Sequence, residues 1–368
     1  MADLQQTVNG CVKRIVDLRS DTVTKPTLSM RQAMASSEVD DDVLGVDPTA
    51  DRLQKQMAQV CGKDAGLFVA SGTMGNLISV LVHCEVRGSE AIIGSESHIH
   101  LYEQGGISTL GHVYSHIVPN ETDGTMDLTK VEAAIRANDV HFPTTRLICI
   151  ENTHGSFGGR CISPEYTDKL GALAKRYNSK LHIDGARIFN AATALKVPVE
   201  RLVQSADSVS VCLSKGLGAP IGSVIVGSFE FIAKARRLRK ALGGGMRQLG
   251  VLAAPALISL NDIAGKLHID HQHACLLAEG LCNVKGLHVD LGSVETNMVF
   301  AEVKEDSRLS AQQICEALKD HGVLVMALSK DKIRAVLHHQ ISQDDVKHAI
   351  VCFQDVLAQP TESNGCLS

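Results

Sequence analysis

The chain has 368 residues, 44% hydrophobic and 21% charged, with a formal net charge of -5. That length exceeds the ~250–300 residues that one hydrophobic core usually serves, so a larger and a smaller domain are expected. A mildly acidic chain with 3% aromatics and no tryptophan lacks the basic face or stacking platforms of a nucleic-acid or sugar binder, and no apolar run reaches the ~20 residues that span a bilayer.

In chain order, the start Met1-Ala-Asp-Leu-Gln-Gln6 has the form of neither a signal nor a transit peptide. Asp47-Pro48 supplies an N-cap and a first-turn proline, and Leu53, Met57, Val60 and Cys61 then form a helical stripe. Strand signals follow at 65–70, 90–94, 113–118, 147–151, 181–184, 208–213 and 223–226, alternating with helical segments. This alternation predicts an α/β fold with a largely parallel sheet covered on both faces. An apolar helix is expected over 248–260 and a His-containing helix from about Asp262. Strands at 298–303 and 333–337 and a helix capped by Ser342 with Asp345 complete the smaller domain.

The domain boundaries expected are 1–45 for an N-terminal segment contributing to the active site, 46–264 for the large domain and 265–368 for the small one. The tail 360–368 reads as disordered. Cys366 stands one place wrong for a prenylation box. The cysteines are odd in number and include no Cys-x-x-Cys, and Cys149 and Cys212 sit inside apolar runs. That usage fits a reducing, cytoplasmic setting.

Two segments carry the chemistry. Lys180-Leu-His-Ile-Asp184-Gly-Ala-Arg187 and Asp207-Ser-Val-Ser-Val-Cys-Leu-Ser-Lys215-Gly-Leu-Gly218 each read as a buried strand with an ionisable residue at its carboxyl end. Open α/β sheets place ligands at that end. A lysine there can form a Schiff base and an aspartate can keep a pyridine nitrogen protonated, the two demands of pyridoxal 5'-phosphate. Gly216 and Gly218 let a planar ring approach the backbone. Ser71-Gly72-Thr73 is a strand-to-helix turn suited to a phosphate. His98, at another strand's carboxyl end, can stack on a ring or move a proton. Lys240 and Arg247 flank a triple-glycine loop and can bring two cations to a phosphate, as across a subunit interface. The histidines at 268, 271 and 273 read as a solvated face; no metal site is expected.

Taken together, Asp17-Leu-Arg-Ser20-Asp-Thr-Val-Thr24, Asp41-Asp-Val-Leu-Gly-Val-Asp-Pro48, Ser71-Gly-Thr-Met-Gly-Asn76, His98 with Tyr102-Glu-Gln-Gly-Gly106, Glu151-Asn-Thr-His154, the Asp184 and Lys215 segments and Gly243-Gly-Gly-Met-Arg-Gln248 resemble the L-threonine aldolases of the fold-type I pyridoxal phosphate enzymes. The resemblance implies an aspartate aminotransferase-like large domain with a mostly parallel seven-stranded sheet and a smaller C-terminal α/β domain. It implies Lys215 as the residue bonded to the cofactor, Asp184 at the pyridine nitrogen, His98 on the ring, Gly72 and Thr73 at the phosphate, and Lys240 and Arg247 reaching it from a neighbour. Ser20, Arg187 and Arg334 would bind the substrate carboxylate, with Arg187 also near the ring hydroxyl and His141 near the β-hydroxyl.

A homotetramer with shared active sites is also implied, and retro-aldol cleavage of L-threonine or L-allo-threonine to glycine and acetaldehyde. The base is left among His98, His141 and a bound water. Leu44, where the family often has tyrosine, and Gly155, commonly asparagine, are departures. The rival readings are a lyase for phenylserine-type substrates or for β-elimination, and a non-catalytic oligomeric binding module. A nicotinamide enzyme lacks its Gly-x-Gly-x-x-Gly.

Overall fold

A computed structural model describes residues 6–8 and 11–358; the expectations placed on residues 1–5, Cys366 and the tail 360–368 lie outside the described residues. The chain divides into two compact units. One spans Thr24–His268, and the other joins the chain before Thr24 to the chain from Ile269 onward.

The larger unit is built on seven strands: β1 (Ala65–Val69), β2 (Ser89–Gly94), β3 (Tyr114–Val118), β4 (Thr144–Glu151), β5 (Lys180–Asp184), β6 (Ser208–Cys212) and β7 (Ser223–Gly227). All seven lie where the apolar runs predict them. Their order across the sheet is β1-β7-β6-β5-β4-β2-β3. Strands β2 to β6 pair in parallel, whereas β7 runs antiparallel to both β1 and β6. Strands β1 to β6 therefore all point their carboxyl ends to one edge. Every residue of β2, β6 and β7 is buried, as a sheet covered on both faces requires.

Helix α1 (Pro48–Val60) begins as its sequence dictates: Asp47 Oδ1 accepts from the Ala50 amide at 2.9 Å, while Oδ2 accepts from the Gly250 amide at 2.8 Å. Helix α2 (Gly72–His83), capped by Ser71, packs across β4, β5, β6 and β7. At Gly75 a Cβ would lie 2.5 Å from Ser210 Oγ, so glycine permits this close approach. Lys215 follows β6 in a turn closed by the Gly218 amide donating to the Lys215 carbonyl at 2.7 Å, with Gly218 at φ +73°.

In the smaller unit an antiparallel sheet includes Met298–Val303 and Lys332–Val336. Val16–Asp17 pairs in parallel with Val323–Leu324, some three hundred residues later in the chain. Leu277, Leu281, Ile314, Leu318 and Phe353 form its core with the sheet. The helix Gln343–Ala358 starts as the sequence predicts, with Ser342 Oγ accepting from the Asp345 amide at 3.2 Å and Asp345 Oδ2 accepting from the Ser342 amide at 2.9 Å.

Within this unit Asp270 is buried, and that burial, with the charge of Asp21 second, pushes its carboxyl up to about 7. Because the folded state holds the proton more tightly than the unfolded chain, stability falls as pH rises from ~4 to about 7. Asp270→Asn is expected to remove that slope. In urea melts it should gain on the order of 1–3 kcal/mol over the parent at pH 8 and little at pH 4; equal slopes would show the penalty is absent.

Candidate active site

The common carboxyl edge of β1 to β6 collects the ionisable groups. Asp184 is the last residue of β5, and 4% of its surface is exposed. Its Oδ2 accepts from Asn76 Nδ2 at 2.8 Å and its Oδ1 from the Ala186 amide at 3.1 Å. Asn76 sits on the first turn of α2, and its Nδ2 also donates to Glu103 Oε1 at 2.8 Å. One amide thus bridges two buried carboxylates. The same Glu103 oxygen lies 2.8 Å from His98 Nδ1.

The short helix Gly94 leads into, α3 (His98–Leu101), is tied to the sheet by Glu151 at the end of β4. Glu151 Oε2 accepts from the His98 amide at 2.8 Å and Oε1 from the Gly155 amide at 2.8 Å. The hydrogen bond to Glu103 raises the His98 pKa above the ordinary histidine value, outweighing burial, which lowers it. Glu103 itself is pushed up, chiefly by burial. Donor atoms of His98, Glu103 and Asp184 lie within 4.8 Å of one another, and Lys215 is near enough for its charge to act on His98.

At the other end of this edge, Ser71-Gly72-Thr73 opens α2. A Cβ on Gly72 would meet Cys212 Sγ at 2.8 Å, so the turn seats only glycine against β6. Thr73 is exposed, and the helix N-terminus presents amide hydrogens to an anion.

The remaining expected residues are spread more widely. Arg187 stands at the start of Ile188–Leu195, three residues beyond Asp184. Ser20 and Arg334 belong to the smaller unit, where Arg334 Nη2 donates to the Arg19 carbonyl at 3.1 Å and so sits beside Ser20. Lys240 lies in the last turn of the helix Phe229–Ala241, and Arg247 donates to Asp41 Oδ2 at 2.8 Å, joining the triple-glycine loop to the Leu44 turn. His141 precedes β4, so within its own chain it lies toward the opposite sheet edge from Glu151 and Asp184. It is exposed, with Nδ1 2.7 Å from Asp139 Oδ1.

Sequence reasoning assigned no role to Asn76, Glu103, Glu151 or His182. The alternation His182-Ile-Asp184 places His182 on the same face as Asp184, a signal that was there to read.

The donor set fits pyridoxal phosphate. An acceptor-only carboxylate suits a pyridinium N–H, an amine suits the aldehyde, an imidazole suits the ring face, and a glycine-opened helix N-terminus suits the phosphate. A profile of the beta-eliminating lyase family matches residues 17–306. Low-specificity L-threonine aldolase 1 of Arabidopsis thaliana is 59% identical over 348 residues, covering 94% of this chain and 97% of that protein. The low specificity L-threonine aldolase of Escherichia coli K12 is 39% identical, covering 94% and 100%. The threonine aldolase of Leishmania major has the same fold, with a TM-score of 0.76 at 19% identity over 93% of this chain and 100% of that one.

The fold and site define a fold-type I pyridoxal phosphate enzyme, a lyase. Within that class, the chain belongs to the low-specificity L-threonine aldolase family.

Glu103→Gln keeps the shape of the site but removes the anion beside His98. The His98 pKa is expected to fall toward its ordinary value of ~6.5, read from its ring resonances by NMR. A pKa unchanged in the variant would remove Glu103 as the cause. The parent pair stabilises the fold below the unfolded histidine pKa, and that contribution is lost as pH rises through the raised folded value.

Proposed function

We infer that the chain cleaves L-threonine and L-allo-threonine to glycine and acetaldehyde. The observation that carries this reading is the buried Asp184, bridged by Asn76 to Glu103, which in turn holds His98, on the sheet edge that also delivers Lys215. Pyridoxal phosphate, when bound, draws off the electrons of the Cα–Cβ bond that breaks. Asp184 would keep the ring nitrogen protonated, Lys215 would hold the cofactor through its amine, and Gly72 and Thr73 would bind the phosphate. Arg187, Arg334 and Ser20 fix the substrate carboxylate by charge-assisted hydrogen bonds. His98, with its pKa raised and Nδ1 held by Glu103, can hold and return a proton near neutral pH.

The assembly we infer is a cytoplasmic homotetramer of dimers with shared sites. His141, if its loop keeps its place, would approach a substrate only as a neighbour's residue. Lys240 and Arg247 would reach a neighbouring phosphate in the same way. Cys61, Cys84, Cys149, Cys212 and Cys352 are buried free thiols, consistent with a reducing compartment. No helix among the described residues is long and apolar enough to cross a membrane.

The test is spectroscopic and chemical. Purified protein is expected to show a band near ~420 nm that borohydride abolishes and Lys215→Ala lacks, and to release acetaldehyde from L-allo-threonine. A colourless protein after added pyridoxal phosphate would overturn the cofactor site. A coloured protein that releases no aldehyde from either threonine would move the reading to phenylserine-type cleavage or β-elimination.

A further inference from the structure

Behind Asp184 a chain of buried polar groups continues away from the cofactor side. Neighbouring strands β5 and β6 bring His182 and Ser208 into register. Helix α2 lies over them and contributes Asn76 and, two turns later, His83. Ser208 Oγ is 2.8 Å from His182 Nδ1 and 2.8 Å from His83 Nε2. His182 Nε2 is 3.2 Å from Asn76 Oδ1. His182 and Ser208 are fully buried and Asn76 nearly so.

The two carboxylates fix every proton in this chain. Glu103 and Asp184 need donors, so the Asn76 amide turns its nitrogen to them and its oxygen to His182. His182 must then carry its proton on Nε2. Burial keeps the ring neutral, pulling its pKa down to about 4, so Nδ1 accepts. The single hydroxyl proton of Ser208 goes to that nitrogen, and the Ser208 oxygen accepts from His83 Nε2. Burial likewise lowers His83, to about 3. The charged or titratable groups facing these rings are Asp184 at His182, and His182, Asp207, Lys180 and Lys234 at His83.

We propose that His83, Ser208, His182 and Asn76 form a one-way hydrogen-bond relay, every donor pointing toward Asp184, that positions this carboxylate and holds its charge for the cofactor's ring nitrogen. These are positioning residues, and the assignment rests on the reading of Asp184 as the partner of that nitrogen. Only N–H or O–H donors in this order satisfy all four links, so a break at Ser208 frees His83 to change tautomer while Asn76 still holds His182 as its Nε2–H form.

The experiment uses histidine-15N holoenzyme together with Ser208→Ala, His83→Phe and Asp184→Asn, each checked for folding by circular dichroism and thermal melting. In the parent, His83 and His182 are expected as neutral Nε2–H tautomers from pH 5 to 8. Ser208→Ala is expected to mix the His83 tautomers while His182 keeps its Nε2–H form, to weaken pyridoxal phosphate binding about tenfold, and to shift the pH at which the bound cofactor's absorbance changes. His83→Phe, which can keep the stack on Phe231, is expected to act in the same direction but less. An Nδ1–H tautomer or a protonated ring in the parent overturns the relay whatever the variants do. Unchanged affinity and absorbance in a folded Ser208→Ala overturn it too, provided Asp184→Asn shifts both. If Asp184→Asn shifts neither, the underlying assignment of Asp184 fails, and the relay's role toward the cofactor falls with it.

Discussion

A carboxylate removed from water must be given donors, and the burial of Asp184 sets that demand for the whole larger unit. Leaving such a charge unmatched costs several kcal/mol. Asn76 and the Ala186 amide meet the demand, and each imposes geometry. For Asn76 to reach, α2 must lie flat across the strands, which Gly75 allows by having no side chain over Ser210. For Ala186 to turn back, the chain must bend immediately after β5. Glu103 then shares Asn76, and His98 shares Glu103. The orientation of an imidazole at one strand end is therefore fixed from another strand end, through one amide.

The direction of the strands does the rest. Because β1 to β6 run the same way, their carboxyl ends share one edge, which carries the Ser71-Gly72-Thr73 turn after β1, His98 after β2, Glu151 on β4, Asp184 on β5 and Lys215 after β6. Neighbouring strands of that row stand about 4.8 Å apart, so Asp184 and Lys215, at the ends of adjacent strands, come close together. The chemistry of the site follows from topology as much as from residue type.

Much of this was legible in the sequence. The seven sheet strands, the Asp47 and Ser342 caps and the Lys215 and Asp184 positions follow from apolar runs, proline and cap residues acting over a few positions. What could not be read was anything set by pairing across the chain. The reversal of β7, flanked by parallel neighbours, leaves no trace in its Ser-Val-Ile-Val-Gly pattern. Glu103 looks like a solvated acid after Tyr102 until Asn76 and His98 are brought against it. His141 shows the converse: the family resemblance implied a place near the substrate, but the direction of β4 carries it away from Glu151 and Asp184 within its own chain.

The placement of β7 also has a consequence for how the protein is made. Strand β1 lies at the sheet's margin and its one neighbour is β7, so Leu67, Phe68 and Val69, fully buried in the finished fold, have no strand to pair with until residues 223–227 have been translated. At ordinary elongation rates that interval is roughly 10–30 s. Throughout it the emerging polypeptide carries an apolar strand with open hydrogen-bonding edges, the kind of segment that self-associates. Until its last strand arrives, the larger sheet's first strand is therefore left open to other nascent copies.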